Sequence, residues 1–506
     1  MTANSALSRN LLLLLLLIAG GIVLLCLFVN IPLELPLLGL AGLCVLLYVG
    51  AKFPECFLVA ALFTPQWKTF WVLQRVDKAV DLTLAMLLCL AAALIWRVVF
   101  QMGRSSSWSF RALFFGQGNQ VLAFLLFAAI VAVSYAYTNA PDYGGSKMSR
   151  VVTIGLLMFL APFFLILSEE HLRRLARVFV GFSMATAVQL VFTLERGTQD
   201  PNADITRIGA GWLLGMAAIL VLFYPLVPSR RAQKALFLFV LPICIAGLVA
   251  SAARGPIVAL AVAVLTGSFI WLRQGRLRGR TAFVLLLLLS AGFGGAYLFF
   301  RQANLDKYTG KANELVTLVT GGSASGSAGQ RLDYYRATLA AIPNHLFFGN
   351  GVGSWSMFYY GNDLRNYPHN ILLEIGFEEG LFGVAAFLIF LAAVGASTMR
   401  MLRTSRWHFL ALGLLVLYCE LVSLFSGDLD DNRVLFFWAG VTLAICRTVR
   451  LRSITGQFSR RDYRRYRGIP VPQAPSVWAP AYSGRFALRG RSISGRGRTW
   501  REKFVY

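Results

Sequence analysis

Gln330-Arg331-Leu332-Asp333-Tyr334-Tyr335-Arg336 lies in a long polar segment, and Tyr367-Pro368-His369-Asn370 leads from that segment into the apolar run Ile371-Leu372-Leu373-Glu374-Ile375-Gly376-Phe377-Glu378-Glu379-Gly380-Leu381-Phe382-Gly383. The polar segment begins at Arg301, whereas nearly every other polar segment is a short turn between hydrophobic spans. A long loop on such a scaffold is usually functional or disordered. This one brings arginines, tyrosines and a histidine to the water boundary. The stretch 301–383 therefore reads as the working face, and the remaining spans as its support.

The composition fits that division. The 506 residues are 57% hydrophobic and 14% charged, with a mean hydropathy of +0.64. Apolar runs recur from residue 11 almost to residue 447, and a run of about 20 residues can cross a bilayer. The fold class expected is an all-α polytopic membrane protein. Leu11 to Val29 has the outline of a signal peptide, but ahead of so many further spans an uncleaved first helix is expected. The seven cysteines sit in or beside apolar runs without a CxxC pair, so they read as small core residues rather than a disulfide framework or zinc site. Fifteen of the 48 Lys and Arg residues fall from Arg447 to Tyr506, against Asp462 and Glu502, which puts about half of the net charge of +25 in the tail. After a membrane domain such a tail marks the cytoplasmic side and touches anionic lipid; nucleic acid is not an expected partner.

The positive-inside rule then orders the chain. The basic segments around Arg97–Arg111, Arg173–Arg177, Arg230–Lys234, Arg273–Arg280 and Met399–Arg406 are placed inside. Asn139–Arg150, Glu195–Thr206, a turn at Ser251–Pro256, the loop 301–368 and the small acidic turn Gly427–Arg433 are placed outside. The apolar stretch Ala235–Leu272 is too long for one span, so Ser251-Ala252-Ala253-Arg254-Gly255-Pro256 divides it into two helices. About 12–14 transmembrane helices result, with both termini inside. The chain is divided into N-terminal helices (1–200), a core with the large loop (201–446) and a basic tail (447–506) that cannot bury a core.

Three arginines fall on the loop's side: Arg207, Arg254 and Arg331. A charge at the membrane is costly and marks a functional hypothesis, and guanidinium binds phosphate oxygens with a planar fork. Together they suggest a diphosphate at the membrane surface, such as the head of a polyprenyl lipid, with chloride or lipid headgroups as the plainer occupants. If 331–342 is helical, Arg331 and Arg336 lie about 140° apart. Tyr335, Thr338 and Ile342 share the face of Arg331, and Arg336 points to solvent or to Asp333. His369, one of four histidines, stands at a helix entrance, flanked by Pro368 and Asn370. Continued as a helix through 370–398, its side carries Gly376 and Gly380, a spacing that permits close packing, while Glu374 and Glu378 face away. The unperturbed pKa of histidine suits a general base. Asp428, Asp430 and Asp431 read as a solvated turn rather than a cation site. Gly321–Gly326 is a hinge and not a P-loop, since no Gly-Lys-Ser/Thr follows it.

Several of these residues carry a family resemblance. The Ala253-Arg254-Gly255 turn, Gly329-Gln330-Arg331…Tyr335…Phe348-Gly349-x-Gly351, and His369-Asn370-x-x-Leu373-Glu374…Glu379-Gly380-x-x-Gly383 resemble the O-antigen ligase and O-antigen polymerase superfamily over about residues 205–445. Ala253 stands where a serine is common, and Asn344-His345-Leu346 replaces a frequent His-Pro-Leu. The resemblance implies a multi-pass glycosyltransferase of the bacterial inner membrane. It would take a glycan from undecaprenyl diphosphate on the periplasmic side and pass it to a glycan or lipid A-core acceptor, with no metal or other cofactor. Membrane lipids and other polysaccharide-assembly proteins would be its further partners. On that reading His369, Arg331 and Arg254 are the catalytic set, and Arg207, Arg336, Tyr335 and Asn370 bind substrate. Ligase and polymerase are not separated, with a lean to polymerase. The rival from the residues alone is a transporter or flippase for a lipid-linked or anionic substrate. That class often shows internal repeats, and none is legible here.

Overall fold

The computed structural model describes residues 52–67, 82–98, 114–195, 203–251, 253–274, 327–403 and 409–465. The expected spans at 11–29 and 281–300, the hinge 321–326 and most of the basic tail lie outside the described residues. Among those described the chain is all helical, without a strand. The first part comprises α1 (Glu55–Trp67), α2 (Leu82–Trp96), α3 (Gly118–Ser134), α4 (Pro141–Arg150), α5 (Leu156–Leu165), α6 (Glu169–Glu195), α7 (Ala203–Phe223), α8 (Arg230–Ala250) and α9 (Arg254–Arg273). The second comprises α10 (Ser327–Ala341), α11 (Trp355–Tyr360), α12 (Ile371–Glu378), α13 (Gly380–Leu402), α14 (Leu410–Ser423) and α15 (Arg433–Arg465). The chain divides into two compact units, Met1–Ser453 and Ile454–Tyr506. The residues discussed below lie in the first.

Six described stretches are long and apolar enough to cross a membrane: Gly118–Tyr137, Pro141–Leu165, Arg231–Ala250, Arg254–Arg273, Gly380–Leu402 and Leu429–Leu451. Thr83–Trp96, Arg207–Phe223 and Leu410–Ser423 are shorter apolar helices. The chain is an all-α polytopic membrane protein.

Burial separates central helices from peripheral ones. On α7, every residue from Leu213 to Val221 other than Gly215 is a buried apolar one, and α15 is buried from Leu435 to Ala439. A helix apolar and buried on all sides belongs inside the bundle. On α3 the pattern is one-sided. Phe124, Phe127 and Val131 are buried, while Leu122, Leu126 and Val133 are exposed, as suits a helix with one face to lipid. Lipid is as apolar as leucine, so van der Waals packing joins such helices. Here Phe124 of α3 stacks on Phe159 of α5 at 4.2 Å between centroids and meets Phe390 of α13 at 5.2 Å and Phe436 of α15 at 5.0 Å.

The expected break near Arg254 is present. Ser251 donates its hydroxyl to the Leu248 carbonyl at 2.6 Å and accepts the Ala253 N–H at 3.3 Å, closing α8. Gly255-Pro256 then sits in the first turn of α9, where proline costs no hydrogen bond.

Two expectations are corrected. The run 370–398 is not one helix: α12 ends at Glu378, and Gly380 has φ +67°. The backbone groups freed there are taken up by the large loop. Asn350 N–H donates to the Phe377 carbonyl at 2.9 Å, Gly351 N–H to that of Glu378 at 2.8 Å, and Leu381 N–H to that of Leu346 at 2.8 Å. Irregular backbone beside a membrane span survives where protein satisfies it. Gly380 thus serves a break and not a packing stripe. The acidic turn is also not solvated: Asp428 and Asp430 are buried and bound by cations of the protein.

Candidate active site

The site is built on α10, which the sequence places at 331–342 and the structure at Ser327–Ala341. Its period of 3.6 turns Tyr334, Thr338 and Ala341 inward, where they meet Trp355 of α11 and Phe377 of α12. Trp355 donates its indole N–H to Thr338 Oγ1 at 2.8 Å and stacks on Tyr359 at 5.1 Å. This small aromatic core fixes the loop on the helix that follows His369.

His369 sits one residue outside α12. Asn370 is the N-cap, its Oδ1 accepting the N–H groups of Leu372 and Leu373, each at 3.1 Å. That satisfies two of the orphan donors of a helix start and commits the Asn370 oxygen to the cap. His369 takes φ 60°, alone among described non-glycine residues, and such strain clusters at functional sites. The imidazole stacks beside Tyr334 (6.2 Å, 17°) and meets Tyr367 edge-on (4.5 Å, 63°). The Tyr335 hydroxyl donates to the His369 carbonyl at 3.3 Å, so Tyr335 holds the histidine backbone. His369 Nδ1 is buried with no hydrogen-bond partner. Burial, aided by the positive charge of Arg331, pushes the imidazole down to about 4, so it is neutral at neutral pH.

Arg331 Nη1 donates to the Phe425 carbonyl at 2.7 Å. The Arg254 turn reaches the same segment, since a Cβ on Gly255 would stand 3.0 Å from Phe425 Cβ. Arg207 arrives on α7 one turn before Gly211, whose side faces Ser251 and Ala253. The structure therefore gathers the segments of the three arginines around Phe425 and the Ser251–Arg254 turn. It does not bring Arg336 there: that side chain is 72% exposed, 4.0 Å from Asp333, as the helical phasing expects.

Sequence reasoning missed a buried ion cluster beside these residues. Lys147 Nζ, on α4, bonds the Glu374 carboxylate, Glu378 Oε2 at 2.6 Å and Asp428 Oδ1 at 3.2 Å, and all four side chains are fully buried. Arg150 reaches Asp430 at 2.8 Å, and Arg365 reaches Asp431 at 2.7 Å, Asp430 at 3.6 Å and Asp428 at 3.7 Å. The signal that singled out Arg207, Arg254 and Arg331, a cation on the loop's side of the membrane, applied equally to Lys147, Arg150 and Arg365. Among the described residues, no group of three or more His, Cys, Asp and Glu is arranged to hold a metal ion.

Residues 237–388 match the family model for the O-antigen ligase, and no curated protein matches the chain. The matched stretch holds Arg254, α10, His369, α12 and the break at Gly380; Arg207, Lys147 and the 428–431 turn fall outside it. The match bears out the resemblance to the O-antigen ligase and polymerase superfamily. With the membrane helices it supports a multi-pass membrane protein of glycosyltransferase-like function.

Proposed function

We propose that the protein is a glycosyltransferase of the bacterial inner membrane that moves a glycan from undecaprenyl diphosphate to an acceptor sugar hydroxyl on the periplasmic side. The observation that carries this reading is the partly buried His369 near Arg331, whose guanidinium bonds the Phe425 carbonyl on the segment that the Arg254 turn also reaches. Arg331 and Arg254, assisted by Arg207, grip the donor diphosphate with planar forks. As the acceptor oxygen attacks the anomeric carbon, the imidazole of His369 takes the hydroxyl proton. The bond from that carbon to the diphosphate oxygen breaks, and the charge growing on the leaving group is met by the guanidinium groups. A single displacement has no covalent sugar–enzyme step, so the anomeric centre inverts. Every step is supplied by side chains, and neither metal nor nucleotide is required.

The test is reconstitution of the purified protein with a polyprenyl-diphosphate-linked oligosaccharide and an acceptor. A new glycosidic bond, formed in the presence of EDTA and without nucleotide, is the expected result. Longer lipid-linked glycans identify a polymerase, and transfer to lipid A-core identifies a ligase. No bond, with glycan crossing the membrane of proteoliposomes, would refute the transferase reading in favour of a transporter.

A further inference from the structure

Lys147 comes from a part of the chain that the family match does not reach. Its ammonium is fully buried against Glu374, Glu378 and Asp428. Two of these carboxylates stand on α12, whose cap Asn370 directly follows His369. The third lies three residues after Phe425, whose carbonyl receives Arg331. One ammonium therefore ties the element that carries the histidine to the element that anchors the arginine. A second link runs beside it, since the Leu429 N–H donates to Glu374 Oε1 at 3.0 Å.

The segment that brings Lys147 is itself seated on the loop before His369. The Tyr137 hydroxyl donates to the Phe348 carbonyl at 2.6 Å and the Thr138 hydroxyl to that of Val352 at 2.8 Å. The Asp363 carboxylate accepts the N–H groups of Asp142 at 2.7 Å and Tyr143 at 3.0 Å, at the start of α4. Thus α4 touches the chain on both sides of His369 and reaches the 428–431 turn as well.

We propose that Lys147 is a positioning residue of the transfer site, holding His369 and Arg331 in register through α12 and the Asp428 turn. The inference rests on the transferase reading above. A buried ion pair is a weak source of stability, because desolvation offsets much of the attraction. What two hydrogen bonds to α12 and an ion pair to Asp428 from one ammonium do supply is a fixed distance between the elements that bear them. Catalysis is sensitive to that distance, and a displacement of about 1 Å far from the chemistry can cost on the order of 10²-fold in rate.

The test uses the full chain in the reconstituted transfer assay, with two variants. Lys147→Met keeps an unbranched side chain and removes the charge. Asp428→Asn leaves Lys147 paired with both glutamates and removes the charge that tethers it to the turn, together with the 3.7 Å contact to Arg365. For Lys147→Met, kcat should fall by about 10²-fold while the donor KM changes little. The acid limb of kcat/KM should rise toward about 6.5, the ordinary histidine value, as His369 loses its fixed surroundings. Asp428→Asn should move both readouts in the same direction by less, and it decides the matter alone if Lys147→Met does not insert. Variants that keep the wild-type kcat and acid limb, whatever their thermal midpoint, would overturn the proposal and leave the cluster as an ordinary structural contact. Absence of product from the wild-type protein would instead sink the transferase reading, and this inference with it.

Discussion

Replacing Gly380 by alanine tests the break that presents His369. Gly380 has φ +67°, and a Cβ there would lie 2.5 Å from the carbonyl carbon and oxygen of Phe347 and 2.6 Å from Gly349 N. The left-handed backbone costs an L-residue about 1–2 kcal/mol. Carbon atoms prefer a separation of about 3.5–4.0 Å, so the facing loop must retreat by roughly 1 Å. That loop is backbone and cannot rotate away, and overpacking of this kind costs about 1–3 kcal/mol. The sum is a destabilisation of about 2–5 kcal/mol, concentrated at the joint between the loop and α12. Gly395→Ala is the control. Gly395 lies within α13, and a Cβ there meets nothing within 4 Å, so that change should be neutral or gain about 0.5–1 kcal/mol. The assay is thermal unfolding of purified protein in detergent, followed by tryptophan fluorescence. Gly380→Ala should lower the midpoint well below that of Gly395→Ala. Adding Gly349→Ala to it should cost less than the two single effects together, because each Cβ would crowd the backbone of the other residue's segment across one joint. A Gly380→Ala midpoint equal to the wild type would refute the argument that this close approach holds the site.

Four other outcomes follow from the site. Arg331→Ala and Arg254→Ala should abolish glycan transfer while inserting normally, and Arg→Lys should rescue poorly because it keeps the charge but loses the fork; Arg336→Ala should be mild, and an essential Arg336 with a dispensable Arg331 would contradict the assignment. In kcat/KM, which reports the free enzyme, the acid limb of transfer should lie near pH 4, so activity stays flat between about pH 5 and 7. A limb near 6.5 would place His369 in water. The same depressed pKa has a stability consequence of defined sign: folding favours the neutral imidazole, so its full contribution is present above about pH 6.5 and is lost as pH falls toward 4. Finally, a cysteine at the exposed Leu364 should react with impermeant maleimide from the periplasmic face; reaction only from the cytoplasmic face would invert the topology and remove the site from its lipid-linked donor.

What the sequence revealed and what it hid have physical reasons. Hydropathy announces spans because each must satisfy its own backbone in lipid, and Arg254-Gly255-Pro256 interrupts the long run 235–272 with a turn that local chemistry dictates. The faces of α10 were legible for the same kind of reason, since helical phase alone separates Arg331 from Arg336. The break after Glu378 was not. Within an apolar run, Gly376-x-x-x-Gly380 has the spacing of a packing stripe, and only the approach of Gly349-Asn350-Gly351 turns Gly380 into a joint. The ion cluster was hidden by distance along the chain, as Lys147 and Glu374 are 227 residues apart. For the same reason Asp428, Asp430 and Asp431 resembled a solvated turn, their cationic partners being supplied from α4 and from Arg365.

The central claim is that His369 accepts the proton of an acceptor hydroxyl in a single displacement at the anomeric carbon. The most direct measurement compares wild-type protein with His369→Ala under one set of conditions, following both the rate of glycosidic bond formation and the binding of the lipid-linked donor. The account predicts that the variant still binds donor, that its rate falls by roughly 10²–10⁴-fold, and that the wild-type product carries the inverted anomer. A variant that transfers glycan at the wild-type rate, or a wild-type product with retained configuration, would contradict it.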